Sequence, residues 1–520
     1  MIKTDEAKIL LKIAAVSVVV AMAVCGTVFS SGADDSSTNN TANRFSTKTV
    51  YVPDDYETIQ EAVDNASSGD MIIVRDGVYN ENVDVNVANL TIKSENGSAN
   101  CIVNATDPND YVFNVTADYV NITGFTVKGV RIIDKAGIHL NGADHCIISN
   151  NEVLNNSGRG IDLVRSSNNN WLINNSVLNN GIGIFLYFQI NNTIISSNIV
   201  KNNDRGIHLS WYSDHNILIN NHIMNNSYGI YLYYCSNNNT IVNNIANFNS
   251  NSGIYVYLYS NSNYLNNNTI GDNKYGVYVY DHSNNNSLYN NIMASNEYGI
   301  YLYYGSNSNT IYNNYLSNTH NAWDSGKNSW NITQTAGTNI IGGSWLGGNY
   351  WSDYAGADED GDGLGDTPYD IRVGKNKDYL PLVKPSIFDT RFGTYPSIPG
   401  THNGTITPFY DLNVSKMYTY SCLGTGGHSE YVKLWNSTGW NVTATWNGYV
   451  EDWHNLKFNE SFILYKDETY NYTIRTGSYP QIHHNRTLQT ANGWINCTEF
   501  TDANGRTYDN WIPAIMLWSD

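Results

Sequence analysis

From residue 137 to residue 316 the apolar and polar positions repeat on one fixed period. A glycine followed by Ile or Val stands at Gly137, Gly160, Gly183, Gly206, Gly229, Gly253, Gly276 and Gly299, at steps of 23 residues with a single step of 24. After each glycine the residues alternate, as in Gly229-Ile230-Tyr231-Leu232-Tyr233, and a period of two predicts a strand. An Asn/Ser turn follows, then a second apolar pair such as Ile241-Val242, then Asn-Asn. The apolar position twelve residues past the glycine recurs as Leu172, Ile195, Leu218, Ile241, Leu265, Leu288 and Ile311. One turn per repeat, stacked in register, predicts a parallel β-helix whose coils pair at a spacing of about 4.8 Å. The glycine is expected at a corner that needs positive φ. Fourteen residues past it, Asn174, Asn220, Asn243, Asn267, Asn290 and Asn313 recur, with Ser197 as the exception. Stacked amides at a tight turn are expected to form a hydrogen-bonded ladder.

Ahead of these repeats, Ile59, Ala62, Val63 and Ala66 form an apolar stripe at helical spacing, with Asp54 and Asp55 favouring its start and Gly69-Asp70 its end. This helix is expected to cap the open N-terminal end of the solenoid, which otherwise exposes strand edges. Less regular coils fill residues 71–128. The run from Val52-Pro53-Asp54-Asp55-Tyr56 through Thr58-Ile59-Gln60-Glu61-Ala62-Val63, with Gly69-Asp70-Met71-Ile72-Ile73-Val74 and Gly77-Val78-Tyr79-Asn80-Glu81 after it, looks like the opening of pectin-lyase-like right-handed β-helix proteins. The repeats that follow resemble the NosD-type, carbohydrate-associated branch of that superfamily, common in surface proteins of methanogenic archaea. The resemblance covers roughly residues 48–384 and implies fold rather than activity. Gly77-x-Tyr79-x-Glu81 also resembles the first block of pectin methylesterases. The blocks that carry their catalytic Gln, Asp and Arg have no match here, so this block is read as a structural corner.

Composition narrows the class. A chain of 520 residues exceeds one ordinary globular core, whereas a solenoid grows along a single axis. The formal charge of −19 opposes the phosphate backbone and argues against nucleic acid as a partner. Lys3, Lys8 and Lys12 precede an apolar run over residues 13–24, and Ser31-Gly32-Ala33 offers small residues for cleavage. Residues 1–33 are therefore a signal peptide or an N-terminal anchor, and Val24-Cys25-Gly26 leaves lipid attachment as an alternative. Such an anchor is the one membrane attachment expected. Cys422 and Cys497 share the last domain and are the pair expected to form a disulfide in an oxidising compartment. Asn-x-Ser/Thr sequons, among them Asn121, Asn225, Asn331, Asn436 and Asn471, fit an exported glycoprotein, although an Asn-rich chain also produces them by chance. An extracellular or cell-surface location is expected.

Three features carry candidate chemistry. Past Gly347-Gly348-Asn349-Tyr350-Trp351, carboxylates alternate with glycines, a pattern that lets a short loop curl round one hard cation. Asp358, Asp360 and Asp362 match positions 1, 3 and 5 of a calcium loop, the Leu364 carbonyl position 7 and Asp366 position 9, while Tyr369 replaces the usual bidentate Glu. A structural calcium ion is expected there; an acidic solvated loop is the plainer reading. The Asn-Tyr-Trp to Pro-Tyr-Asp run resembles the usual end of NosD-like archaeal domains, which implies a calcium cap on the solenoid.

On the outer face, the second residue after each glycine is His139, Asp162, Phe185, His208, Tyr231, Tyr255, Tyr278 or Tyr301, and the fourth is Tyr at 187, 233, 257, 280 and 303. Tyr231, Tyr233, Tyr255, Tyr257, Tyr278, Tyr280, Tyr301 and Tyr303 are the candidate ligand-binding residues. Their flat rings and hydroxyls suit a polysaccharide, a cell-envelope glycan or another surface protein, or else simply stabilise the sheet. For a polysaccharide lyase, hydrolase or epimerase the only candidate catalytic residues are Asp162, Asp204 and Arg165, with Arg205 nearby. A copper-delivery role is disfavoured by seven Met without a Met/His cluster. Short strands expected at 417–422, 431–435, 440–446, 461–465 and 470–476 give a terminal β-sandwich. The expected division is linker 34–47, β-helix 48–342, calcium-loop cap 343–385 and sandwich 386–520. The leading reading is a non-catalytic rod that binds carbohydrate or envelope material.

Overall fold

The computed structural model describes residues 47–519 apart from 357, 359–361, 384–386, 394, 410, 423–427, 447–454, 478 and 491. The expected signal or anchor, the linker up to residue 46 and Asp360 lie outside the described residues. Two compact units are present. The first holds the described residues up to Asn331 together with Trp351–Asp353 and Asp370–Asp378, and the second holds Ile332–Tyr350, Tyr354–Tyr369 and the chain from Tyr379 onward. The expected breaks at 342/343 and 385/386 are therefore not single crossings, because two short segments return to complete the first unit.

That first unit is a right-handed parallel β-helix of three sheets, with 12, 11 and 12 strands among the described residues. One coil shows the plan: a long strand Tyr228–Tyr233, then Thr240–Val242, then Ile245–Asn247. Each strand pairs in parallel with its counterpart one coil on, Ile230 opposite Ile254 and Ile241 opposite Leu265. Ile230, Leu232, Ile241 and their equivalents are fully buried, so every coil adds a layer to one continuous apolar core. Each such side chain contributes roughly 2 kcal/mol of burial free energy.

Polar ladders run along the three corners. Fifteen residues past the repeat glycine, Asn175, Asn198, Asn221, Asn244, Asn268, Asn291 and Asn314 are buried inside the turn. From Asn175 to Asn291, each backbone N–H and side-chain Nδ2 donates to the Oδ1 one coil on, as Asn198 does to Asn221 at 3.0 Å from both atoms. The same Nδ2 also donates to a strand carbonyl of the preceding coil, as Asn221 does to Ile195 at 2.8 Å. Equivalent ladders run through Asn180, Asn203, Asn226 and Asn249 and through Asn216, Asn239, Asn263 and Asn286. The expected ladder one residue earlier exists only in part: Asn174 donates to Asn150 and Asn267 to Asn243, both at 2.7 Å on the exposed side. Those earlier residues instead supply left-handed backbone, with φ 55° at Asn174 and 56° at Asn220, a conformation Asn tolerates.

The repeat glycines correct a second expectation, since they are not at positive φ. They are required by crowding: a Cβ on Gly206 would stand 2.5 Å from the Gly229 carbonyl oxygen and 2.7 Å from Ile223. The helix is shorter than expected, Ile59–Asp64, and is capped by Thr58 rather than by Asp54 or Asp55. Asp55 accepts from Tyr51 N–H instead. Glu81 accepts the Ile59 and Gln60 N–H groups at 3.0 and 2.9 Å, and Tyr79 donates to the Arg75 carbonyl. The Gly77-x-Tyr79-x-Glu81 block thus ties the helix to the first coils. At the other end, buried Trp330 and Trp351 pack with ring centroids 5.6 Å apart, and their indole N–H groups donate to Asp324 and Asp378.

In the second unit, a four-stranded antiparallel sheet with Leu412–Thr419 and Asn455–Leu464 and a seven-stranded one centred on Gly400–Pro408, Tyr470–Thr476 and Gly493–Asp502 share a core of Phe388, Val414, Leu434, Tyr472, Ile474 and Ile495. Burial holds His402 neutral, with its pKa lowered to about 4. Cys422 and Cys497 are not bridged, contrary to expectation. Cys497 belongs to this core, whereas the Cys422 thiol lies 3.7 Å from the Pro480 carbonyl.

Candidate functional site

The long strands turn one column of side chains outward. In register from coil to coil it reads Asp84, Asn114, His139, Asp162, Phe185, His208, Tyr231, Tyr255, Tyr278, Tyr301 and Trp323. Over its second half the rings stack: His208 on Tyr231 at 4.7 Å, Tyr231 on Tyr255 at 5.0 Å, Tyr255 on Tyr278 at 4.8 Å and Tyr301 on Trp323 at 5.5 Å. Tyr233, Tyr257, Tyr280 and Tyr303 form a second column beside them, and Tyr228, Tyr275 and Tyr298 a flanking third. These tyrosines do stand on the outer face, as expected. In the middle of the first column, however, the ring faces are spent on one another: Tyr231 and Tyr255 keep only 8% and 9% of their surface exposed. Burial pushes both phenols above their ordinary pKa. Burial, and then the Arg205 charge, holds His208 neutral with its pKa well below the usual value. A stacked column offers ring edges, so a sugar cannot lie flat along its middle.

Ring faces and charge become accessible where the column is interrupted, at Asp162. A groove of about 410 Å³ opens there, lined by Tyr111, His139, Asn141, Arg159, Val164, Arg165, Tyr187 and Phe188. Tyr111 stacks on His139 at 3.8 Å with planes 6° apart, and Lys135 sits 4.0 Å over the Tyr111 ring. Arg159 lies 4.8 Å over Phe185 and donates to Asp162 at 3.0 Å. Tyr187 and Phe188 are exposed, and Arg165, in left-handed backbone at φ 53°, holds its cation in solvent at the rim.

The three candidate catalytic residues are not brought together. Asp162 is fully buried, with Oδ1 on His139 Nδ1 at 2.5 Å and Oδ2 on Arg159, so both of its oxygens are engaged. Asp204 stands two coils away, beside Arg205 on the far side of the Ile182 level. Only Arg165 reaches the groove. His139, Arg159 and Tyr111 were missed as a group because sequence shows a column position but not which neighbouring coil fills the space beside it. The repeating column itself was the signal, for His139 and Asp162 occupy adjacent levels of it.

In the acidic loop, Asp358 Oδ2 accepts from Gly363 N–H at 3.0 Å and Asp362 Oδ1 from Leu364 N–H at 2.8 Å, while Gln334 donates to the other Asp362 oxygen. Leu364 is buried and bridges to Leu382. Among the described residues no three His, Cys, Asp or Glu side chains are close enough to hold a metal ion together, so Asp358, Asp362 and Asp366 do not form a ligand set by themselves.

Residues 111–270 match the family described as "Right handed beta helix region", and residues 197–356 the family described as "Periplasmic copper-binding protein (NosD)". A "Cell surface glycoprotein" of Methanothermus fervidus is 41% identical over 99 residues, which is 19% of this chain and 15% of that protein. Among solved structures, the A-module of mannuronan C-5 epimerase AlgE6 from Azotobacter vinelandii is 16% identical with a TM-score of 0.43, over 52% of this chain and 89% of that one. The periplasmic alginate epimerase AlgG is 16% identical with a TM-score of 0.33, over 54% of this chain and 84% of that one. Neither structural likeness bears on activity. The chain is a parallel β-helix protein in architecture, and part of its repeat region is similar to the NosD family. Among the described residues no helix is long and apolar enough to cross a membrane.

Proposed function

We propose that this chain is a non-catalytic, exported cell-surface rod that holds an extended polysaccharide along the outer face of its long-strand sheet, gripping it at the groove beside His139. The groove carries the reading: it joins exposed aromatic surface at Tyr187 and Phe188 to a solvent-facing cation at Arg165 and a polar amide at Asn141. Aromatic rings and a few placed polar groups are what a sugar site needs. Tyr187→Ser with Arg165→Ala should cut retention on cell-envelope polysaccharide by about tenfold, since the two contacts together are worth about 1.4 kcal/mol. Tyr255→Ser with Tyr278→Ser should lower the melting temperature instead and leave retention nearly unchanged. Affinity electrophoresis and thermal melts separate the two results. Retention that ignores the groove pair but is lost with the column pair would overturn the assignment.

The short His139–Asp162 contact favours a second reading, a polysaccharide lyase, hydrolase or epimerase in which buried Asp162 orients His139. Cleavage or epimerisation of a polysaccharide by the wild-type chain, lost in His139→Ala, would move the assignment there.

A structural calcium ion at residues 358–366 is the remaining part of the proposal. What supports it is the alternation of Asp358, Asp362 and Asp366 with glycine, and a backbone already curled by Asp358 and Asp362. Asp358, Asp362, Asp366 and the Leu364 carbonyl, with Asp360, would hold the ion. An ion that binds only the folded chain stabilises it by about 2.7 kcal/mol at a hundredfold excess over its dissociation constant. Chelator should therefore lower the melting temperature, and Asp360→Ala with Asp362→Ala should remove that sensitivity. A melt unmoved by chelator would exclude the ion.

A further inference from the structure

Sequons and amide ladders occupy different positions in every turn. The residue before the ladder asparagine is left-handed, and in many turns exposed, whereas the ladder asparagine itself is buried. No ladder asparagine has Ser or Thr two residues on. At two of the corners the fold forbids it, because that residue faces the core, as Val177 and Leu218 do. The left-handed residue is free of this constraint. In Asn155-Asn156-Ser157, Asn225-Asn226-Ser227, Asn238-Asn239-Thr240 and Asn285-Asn286-Ser287 the ladder amide is the middle residue of an acceptor sequon. The four leading asparagines have φ of 55–57° and are exposed.

We propose that Asn155, Asn225, Asn238 and Asn285 are N-glycosylation sites. They lie on the two corners that flank the long strands: Asn225 just before Tyr228–Tyr233 and Asn238 just after it. Glycans there form two rails with the aromatic face bare between them, so the chain can be heavily glycosylated and still present the groove. The co-reactant is an oligosaccharide carried on a lipid phosphate. The asparagine Nδ2 forms a bond to the anomeric carbon and loses one proton, the bond from that carbon to the phosphate oxygen breaks, and the lipid phosphate leaves with the electron pair. Transfer precedes stacking of the coil, because the middle residue is locked in its ladder afterwards. The folded turn then keeps the modified Nδ2 in water.

Asn174-Asn175-Ser176 and Asn267-Asn268-Thr269 share that placement at the third corner, but Asn174 and Asn267 already donate through Nδ2 to Asn150 and Asn243 at 2.7 Å, and the remaining sequons are placed differently. Asn191 donates through Nδ2 to the Gln189 carbonyl, and its Oδ1 holds the Asp214 N–H at 2.9 Å. Asn121 lies within a strand and donates to Thr91. A glycan on either would compete with the Nδ2 donation.

Glycopeptide mass mapping of the protein recovered from its native envelope tests the assignment. Sugar should be found at Asn155, Asn225, Asn238 and Asn285 and be missing from Asn121 and Asn191. The combined Asn155→Gln, Asn225→Gln, Asn238→Gln and Asn285→Gln variant should lose the mass of four glycans while keeping its β-sheet circular dichroism and its retention on polysaccharide. Four bare asparagines in surface-exposed protein, occupancy of Asn191 equal to theirs, or an unchanged mass in the variant would each overturn the proposal. Failure of polysaccharide retention with the glycans present would instead count against the binding function alone.

Discussion

Asn221→Ala should destabilise the solenoid by about 4 kcal/mol, because it orphans three buried groups at about 1–3 kcal/mol each. The Asn198 N–H and one Asn198 Nδ2 hydrogen lose their acceptor, and the Ile195 carbonyl loses its donor. Water cannot replace them, since both asparagines are fully buried. The neighbouring change Asn220→Gly should stay within about 0.5 kcal/mol, as that residue is exposed and needs only its left-handed backbone. Denaturant titration of the two variants side by side makes the comparison. Equal effects would show that the amide ladder is not what binds coil to coil.

Gly206→Ala should cost about 3 kcal/mol, at the upper end for overpacking. The new methyl meets the Gly229 carbonyl oxygen at 2.5 Å and Asn226 Nδ2 at 3.1 Å. A backbone oxygen fixed by its own strand cannot step aside, so relief requires the coils to part. By contrast, Gly142 has φ +66° and open space around it, with the Arg165 carbonyl oxygen 3.8 Å away; Gly142→Asn should be nearly neutral. A melting temperature for Gly206→Ala within a degree of the wild type would refute the crowding argument.

The period, the inward Ile and Leu columns and the outward tyrosines were legible in the sequence because each recurs at a fixed offset. The role of a recurring residue was harder to read. Asn220 and Asn221 are both asparagine, and only the coil geometry makes one a left-handed turn residue and the other a buried ladder residue. The repeat glycines were visible, but the oxygen that demands them belongs to the next coil. In the second unit, Gly400–Pro408 and Gly493–Asp502 went unread as strands, since His402, Gly404 and Cys497 fill inward positions that apolar residues normally mark. The groove was hidden for a related reason. Tyr111 reaches His139 from a different coil, and no spacing along the chain encodes that contact.

The asparagine ladders also make length a heritable quantity. Each level shows the same donors below and the same acceptor above, so a duplicated or deleted 23-residue segment rejoins its neighbours without mismatch. Unequal recombination between such near-identical stretches therefore moves the reach of the solenoid in whole steps of about 4.8 Å, like the gradations of a ruler. Selection can lengthen or shorten the solenoid without touching either end of it.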